Sequence, residues 1–186
     1  MISLNSHSMI TIMTDFMNIP AFGDSMHVNV IVESPRGSAT KFKYDPKHNA
    51  FTYGRPLADS LTYPHDWGFV PSTLGEDGDP LDGMVLHNRP TFPGTIIACK
   101  TLGVLQVEQK EGGSTLRNDR YVFRPVNDGD NNTLNATARL ALEHFFEGAI
   151  IGTSKKLRFI GWRNARVALA GLRRGAVGFQ NNKRKS

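Results

Sequence analysis

The sequence contains one cysteine, Cys99, and no long hydrophobic run. A single thiol excludes an intramolecular disulfide framework, and nothing in the cysteine content favours an oxidising compartment. A helix that crosses a membrane needs about 18 or more consecutive apolar residues, which the sequence lacks. The N-terminus also lacks the basic start and apolar stretch of a secretory signal. We therefore expect a cytoplasmic protein that does not enter a membrane.

The 186 residues suffice for one domain with modest additions. A chain of this size buries about 70% of the surface that the unfolded chain exposes, so its core needs no covalent crosslinks. The charges are unbalanced, because 22 Lys and Arg stand against 17 Asp and Glu and give a net charge of +5. This excess favours anionic partners, whether phosphates, nucleic acids or acidic surfaces.

The sequence divides into a central domain and two tails. Residues 1–25 are rich in Met, Ser and Asn without a regular period, which we interpret as a loosely ordered arm. Residues 26–175 contain short apolar segments separated by Gly and Pro, a pattern typical of strands. Residues 176–186 are polar and basic, and we expect this tail to be disordered.

The apolar periodicity predicts many strands and two late helices. Strands are predicted around Val28–Val32 and at Lys41–Tyr44, Met84–Leu86, Thr95–Leu102, Val104–Val107, Tyr121–Pro125 and Leu157–Trp162. Helical spacing begins near Leu134, with Asn131 or Asn132 as the cap, and again at Asn164–Arg174. This order predicts a mainly β fold of the α+β class, a small closed barrel with two or more flanking helices.

The segment Asp77-Gly78-Asp79-Pro80-Leu81-Asp82 carries the strongest chemical signal. It places three carboxylates within six residues, on a backbone that Gly78 and Pro80 bend. Carboxylates this close repel one another and raise each other's pKa unless a cation neutralises them. Mg²⁺ prefers oxygen ligands of this kind and keeps some of its waters. The segment indicates a Mg²⁺ site, and the alternative is an acidic surface turn.

In this segment and several others the chain resembles the soluble family I inorganic pyrophosphatases. The resemblance covers residues 28–169 and includes Glu33-Ser34-Pro35-Arg36-Gly37, Tyr63-Pro64-His65-Asp66-Trp67-Gly68-Phe69, Gly103-Val104-Leu105 and His144-Phe145-Phe146-Glu147. It implies a five-stranded, OB-like barrel that hydrolyses pyrophosphate to two phosphates with a Mg²⁺-bound hydroxide. It also implies a homo-oligomer, since bacterial members are usually hexamers.

The resemblance assigns roles to individual residues. Asp77 and Asp82 are implied to bind the metal directly and Glu33 to bind it through water. Asp79 is implied to be the general base toward the attacking water, with Tyr63 beside it in the catalytic set. The implied substrate-binding residues are Lys41, Arg55, Tyr63 and Arg120, which contact phosphate oxygens.

The chain departs from the family pattern at several positions that usually carry function. Lys43 stands where the family has a glutamate, and Trp67 where it has a tyrosine. Gln109 and Asn118 occupy two aspartate positions, Arg120 a lysine position, and Ala149 and Ile150 the positions of a Tyr-Lys pair. Because each lost transition-state contact costs about 10²–10³-fold in rate, these changes predict reduced activity.

Two interpretations of the departures remain open. Lys43, Arg117 and Arg120 are candidates to supply fixed positive charge in place of some Mg²⁺ ions, so that phosphate binding persists. Alternatively the chain is a non-catalytic protein that binds phosphate or pyrophosphate. The nearby acids Glu108, Glu111 and Asp119 are candidates to rescue the metal site.

The basic C-terminus raises a third alternative, a single-stranded nucleic acid binder built on an OB-like barrel. The strands show no ordered row of exposed aromatic residues for base stacking, and the acidic segment repels a phosphate backbone. The pattern therefore favours the hydrolase over a nucleic acid partner.

Overall fold

A closed ring of five strands forms the centre of the protein. The structure is a computed structural model that describes residues 14–23, 27–129 and 134–185. Its strands are β1 (Val28–Ser34), β2 (Thr40–Asp45), β3 (Ala50–Pro56), β4 (Asp66–Val70), β5 (Leu81–Val85), β6 (Ile96–Glu111), β7 (Ser114–Arg117), β8 (Arg120–Pro125) and β9 (Lys156–Asn164). The ring runs β1-β4-β5-β8-β6 and closes where β6 pairs with β1. The predicted five-stranded barrel is confirmed.

The remaining strands extend the barrel on one side. β6 is 16 residues long, so after its pairing with β1 it also pairs with β9 from Gly103 to Lys110 and with β7 from Glu108 to Glu111. β2 and β3 form a separate antiparallel hairpin, in which Lys41 pairs with Arg55. The structure differs from the predicted strands here, because β3, β4 and β7 were not expected and β6 unites two predicted strands.

Two helices cover the outside of the ring. α1 (Ala136–Ala149) begins at Asn135, whose side chain accepts a hydrogen bond from the Ala138 amide at 2.9 Å. The predicted caps, Asn131 and Asn132, lie outside the described residues, and the observed cap is Asn135 instead. This side-chain oxygen satisfies an amide that otherwise lacks a partner in the first turn.

α2 (Ala165–Lys183) is longer than predicted and includes most of the segment expected to be a disordered tail. Gly175 is buried in it, close to Leu81, and Gly178 lies near Leu74. The Lys183 ammonium also donates a hydrogen bond to the Asn18 side chain at 2.7 Å. These tertiary contacts, which the polar sequence did not reveal, hold the helix to its end.

The hydrophobic core has two main parts, and each lies under one helix. Val30, Val85 and Phe123 of the strands form the first part together with Leu172 of α2. Leu105, Trp67, Leu142, Phe145 and Phe146 belong to a second cluster, which seats α1 on the barrel. Burial of such side chains contributes about 1.5–3 kcal/mol each, so these clusters anchor the walls of the cavities described next.

Gly68 marks the closest approach within the ring. A Cβ atom at this position would lie 1.8 Å from the carbonyl oxygen of Ile31 on β1, so only glycine lets β4 approach β1 this closely.

Among the helices in the described ranges, none is long and apolar enough to cross a membrane.

Candidate active site

Two adjoining cavities gather the eight residues to which the resemblance assigns a role. We name them the acidic cavity and the basic cavity. Carboxylates on the wall of the acidic cavity are Glu33, Asp45, Asp77, Asp79 and Asp82. The cationic side chains on the wall of the basic cavity are Lys41, Arg55, Arg120 and Lys155, next to Tyr63 and Trp67. Lys41, Gln109, Arg120 and Lys155 line both cavities and form their common wall.

The acidic segment is a hydrogen-bonded loop that leads into β5. The Gly75 amide donates to the carbonyl oxygen of Asp79 at 2.8 Å, and the Leu81 amide donates to Oγ1 of Thr73 at 2.9 Å. Gly78 has a φ of 84°, a conformation that favours glycine. This bend brings the carboxylates of Asp77 and Asp79 into the same cavity as that of Asp82.

Each carboxylate of the loop accepts a hydrogen bond from a residue at one of the departing positions. The Lys43 ammonium lies 2.8 Å from Oδ2 of Asp79. The Asn118 amide donates to Oδ2 of Asp77 at 2.9 Å. Arg120 donates from Nη1 to Oδ2 of Asp82.

These pairs change what the loop offers to a metal ion. Within the part of the chain that the structure describes, no group of three or more His, Cys, Asp and Glu side chains is arranged to hold one. Two of the three aspartates instead form ion pairs with protein cations. A divalent ion can therefore bind Asp79 and Asp82 only by displacing Lys43 and Arg120.

Two carboxylates of the acidic cavity keep a raised pKa. Glu33 is buried and accepts one hydrogen bond, from the Tyr44 amide at 2.8 Å. Burial raises the pKa of Glu33 to about 7, and the charge of Asp82 adds to the effect. Burial also raises the pKa of Asp77, as do the charges of Asp82 and Asp79. Negative charge is thus costly here, which favours positively charged neighbours.

Tyr63 and Arg55 form the far side of the basic cavity. Tyr63 is buried against Phe145, with ring centroids 5.1 Å apart, and its amide donates to the Ser38 carbonyl oxygen at 3.0 Å. Burial raises the pKa of Tyr63 to about 12, so its hydroxyl stays protonated and can donate to a phosphate oxygen. Arg55 donates from Nη2 to the carbonyl oxygen of Ala149, at the end of α1.

Arg120 occupies the centre of the common wall and is buried. Its guanidinium lies 5.5 Å from the ring centroid of Trp67, a cation–π geometry. It also donates to the side chain of Asn118 and lies 3.4 Å from Oε1 of Gln109. The planar guanidinium thus lies between the acidic loop and the basic cavity and contacts both.

The acids proposed to rescue the metal site are engaged elsewhere. Oδ1 of Asp119 accepts from the Val107 amide at 3.0 Å and from Arg117. Glu108 forms an ion pair with Arg158 at 2.6 Å. Glu111 lies near Lys155, and none of the three acids lines the acidic cavity. The structure therefore does not support a role for these acids in the metal site.

Arg117 likewise pairs with Asp119 outside the two cavities, so only two of the three cations proposed to replace metal lie in the site.

Sequence reasoning missed Lys155. It lies in the turn between α1 and β9, and the fold returns it to the common wall of the two cavities. The available signal was a lysine five residues after Ile150, beyond a Gly-Thr-Ser turn.

Comparisons with known proteins agree with this architecture. Residues 30–177 match the family model for inorganic pyrophosphatase. The chain is 35% identical to the inorganic pyrophosphatase of Synechocystis, over 83% of this chain and 93% of the relative. It is 36% identical to that of Thermus thermophilus, over 78% of this chain and 86% of the relative.

A solved structure shows the same fold. The crystal structure of the inorganic pyrophosphatase from Thermus thermophilus superposes with a TM-score of 0.81 at 29% identity, and the match covers 90% of this chain and 99% of that one. The family model and the two relatives each cover most of the chain. The chain therefore belongs to the inorganic pyrophosphatase family.

Proposed function

We propose that this protein hydrolyses inorganic pyrophosphate to two phosphates, at a lower rate than ordinary members of its family. The observation that carries the proposal is the common wall of the two cavities. There Lys41 and Arg120 lie between the acidic loop and the other cationic side chains of the basic cavity. A phosphoanhydride bound in the basic cavity therefore has its bridging oxygen next to the carboxylates of the loop. Family membership supports the same substrate.

The side chains divide the chemistry between them. Lys41, Arg55 and Arg120 offset the charge of the phosphoryl oxygens, and the protonated Tyr63 hydroxyl donates a hydrogen bond to them. Asp79 accepts the proton of the attacking water as general base. The 2.8 Å contact with Lys43 opposes this step, because the ammonium occupies the carboxylate oxygen that would accept the proton.

We propose that turnover requires Mg²⁺. The residues that depart from the family pattern affect the Mg²⁺ concentration at which the protein is active. The cations on Asp79 and Asp82 compete with any divalent ion for the same oxygens. We expect half-maximal activity at a higher Mg²⁺ concentration than in the Thermus thermophilus relative.

A second candidate function is non-catalytic binding of phosphate or pyrophosphate. The pairing of Asp77, Asp79 and Asp82 with protein donors supports it, since all three carboxylates already have partners. The nucleic acid alternative has no comparable support.

Phosphate release from pyrophosphate separates the two candidates. The full chain is assayed with Mg²⁺ and with EDTA, beside Asp79→Asn and the control Asp59→Asn, which alters an exposed carboxylate outside both cavities. Hydrolysis predicts Mg²⁺-dependent release that falls by about 10²-fold in Asp79→Asn and is unchanged in the control. Release by the unaltered chain no faster than without protein would exclude hydrolysis and favour the non-catalytic function.

We also propose that the protein is a cytoplasmic homo-oligomer, a hexamer by family resemblance. Large apolar side chains exposed on the single chain, such as Phe92 and Ile96, support burial against other subunits. Light scattering after size-exclusion chromatography tests the oligomer, and a monomer at micromolar concentration would contradict it.

A further inference from the structure

The basic cavity has a one-sided charge. Lys41, Arg55, Arg120 and Lys155 come from β2, β3, β8 and the turn before β9, and they converge on one space. In the described ranges of the chain, no Asp or Glu side chain lines this cavity. Arg120 and Lys155 also pair with carboxylates outside the cavity, but all four cations line one space and form a preorganised site for an anion.

The turn that carries Lys155 fixes the position of its backbone. Its amide donates to Oγ1 of Thr153 at 3.2 Å, and the Thr153 hydroxyl donates to the carbonyl oxygen of Ile150 at 2.7 Å. Its ammonium lies 3.4 Å from Glu111, in a pair whose side chains are 33% and 47% exposed. An ion pair this exposed contributes at most about 1 kcal/mol, so Lys155 is free to turn toward an anion.

The cations also repel one another in the absence of a ligand. Burial lowers the pKa of the Lys41 ammonium; the charges of Asp82 and Glu33 raise it, and those of Arg120 and Lys155 lower it. A bound phosphate group relieves this repulsion. On the other side of the wall, Lys43 and Arg120 already neutralise Asp79 and Asp82, so the acidic loop does not need a divalent ion before an anion approaches.

We propose that the basic cavity binds a phosphate group without any divalent ion, and that Lys155 is one of the residues that bind it. Lys155 takes over the phosphate contact that the family places at Ala149 and Ile150, whose short or apolar side chains cannot make it. The identity of the ligand, pyrophosphate or its product phosphate, rests on the proposed function. The metal independence rests on the charges of the two cavities and not on the proposed function.

Calorimetry on the full chain in EDTA tests the proposal, with pyrophosphate and with inorganic phosphate as separate ligands. The variants are Lys155→Met, which removes the charge, and Lys156→Met, a control at the adjacent exposed lysine that lines neither cavity. We expect binding in EDTA that weakens about tenfold in Lys155→Met, which corresponds to about 1.4 kcal/mol, and less than twofold in Lys156→Met. Lys155→Arg keeps the charge and is expected to restore most of the affinity.

Three outcomes would overturn the inference: binding only when Mg²⁺ is present, equal affinities of the Lys155→Met and Lys156→Met variants, or failure of Lys155→Arg to recover affinity. Hydrolysis is measured separately, which keeps the two proposals distinct. Binding in EDTA without turnover in Mg²⁺ refutes the hydrolysis and leaves the inference standing. Turnover in Mg²⁺ without binding in EDTA refutes the inference alone.

Discussion

Arg120 forms an ion pair with Asp82, and this contact joins the basic cavity to the acidic loop. The Arg120 side chain is only 9% exposed, so the charge is largely removed from water. A buried guanidinium is stable there because Nη1 donates to Asp82 and Asn118, Nη2 donates to Gln109, and its face covers Trp67. The same contact occupies a carboxylate that the family resemblance assigns to a metal ion.

Replacing Arg120 with lysine tests the importance of the planar guanidinium. Lysine keeps the positive charge but cannot reach Asp82, Asn118 and Gln109 together, nor cover the ring of Trp67. We expect KM for pyrophosphate to rise about tenfold in Arg120→Lys, as measured by steady-state phosphate release. The control Arg163→Lys, at an exposed position, is expected to leave KM unchanged. Equal KM values in the two variants would mean that only charge matters at position 120.

Replacing Lys43 with glutamate is expected to increase activity. The substitution removes the ammonium from the Asp79 oxygen that accepts the proton, and it adds a carboxylate to the acidic cavity as a further oxygen ligand for Mg²⁺. We expect kcat at saturating Mg²⁺ to rise about tenfold. The control Lys47→Glu changes the net charge equally on an exposed turn of the same hairpin. A fall in kcat in Lys43→Glu would show that Lys43 assists turnover.

The buried Glu33 makes stability depend on pH. Its pKa is about 7 in the folded chain against an ordinary value of 4.5, so the folded state holds a proton that the unfolded state releases between these values. Stability therefore falls as pH rises from about 4.5 to 7, by about 3 kcal/mol from this group. Glu33→Gln keeps an acceptor for the Tyr44 amide but carries no charge.

Urea unfolding at pH 5 and pH 8 checks this prediction. The stability of Glu33→Gln relative to the unaltered chain is expected to increase between the two pH values by about 3 kcal/mol. Glu147→Gln, at an exposed position on α1, serves as control and is expected to show no such change. A constant difference between Glu33→Gln and the unaltered chain would show that Glu33 is ionised without penalty.

Gly68 is expected to tolerate no side chain. In Gly68→Ala the new methyl group meets the Ile31 carbonyl at 1.8 Å, so β1 and β4 must separate. Overpacking of this kind costs about 1–3 kcal/mol or more. Thermal unfolding is expected to show a clearly lower midpoint than in Gly23→Ala, where no atom lies within 4 Å of the added Cβ. Equal midpoints would contradict the close approach of the two strands.

The features that were predictable from sequence are those encoded in neighbouring residues. The alternation of Val28, Val30 and Val32 matches β1, and the three aspartates of the loop lie close in space because they lie close in the chain. By contrast, the short strand β4 is buried throughout and shows no alternation. A short apolar run of this kind gives no periodic signal.

The features that were missed depend on long-range packing. Lys155 reaches the site only because the turn after α1 returns to the barrel, and Asp119 turns away because the Val107 amide binds it. The helical end of α2 depends on contacts with Leu74 and Leu81, far away in sequence. Such contacts override local composition, which is why a polar, basic segment forms a helix here.

The most direct measurement is kcat for phosphate release from pyrophosphate at saturating Mg²⁺, for this chain and its Thermus thermophilus relative under the same conditions. If protein cations occupy the carboxylates of the loop, this chain turns over at least about tenfold more slowly than the relative. It should still exceed its own Asp79→Asn variant. A rate equal to that of the relative would contradict the inhibitory pairing, and a rate equal to that of Asp79→Asn would contradict the role of Asp79 as general base.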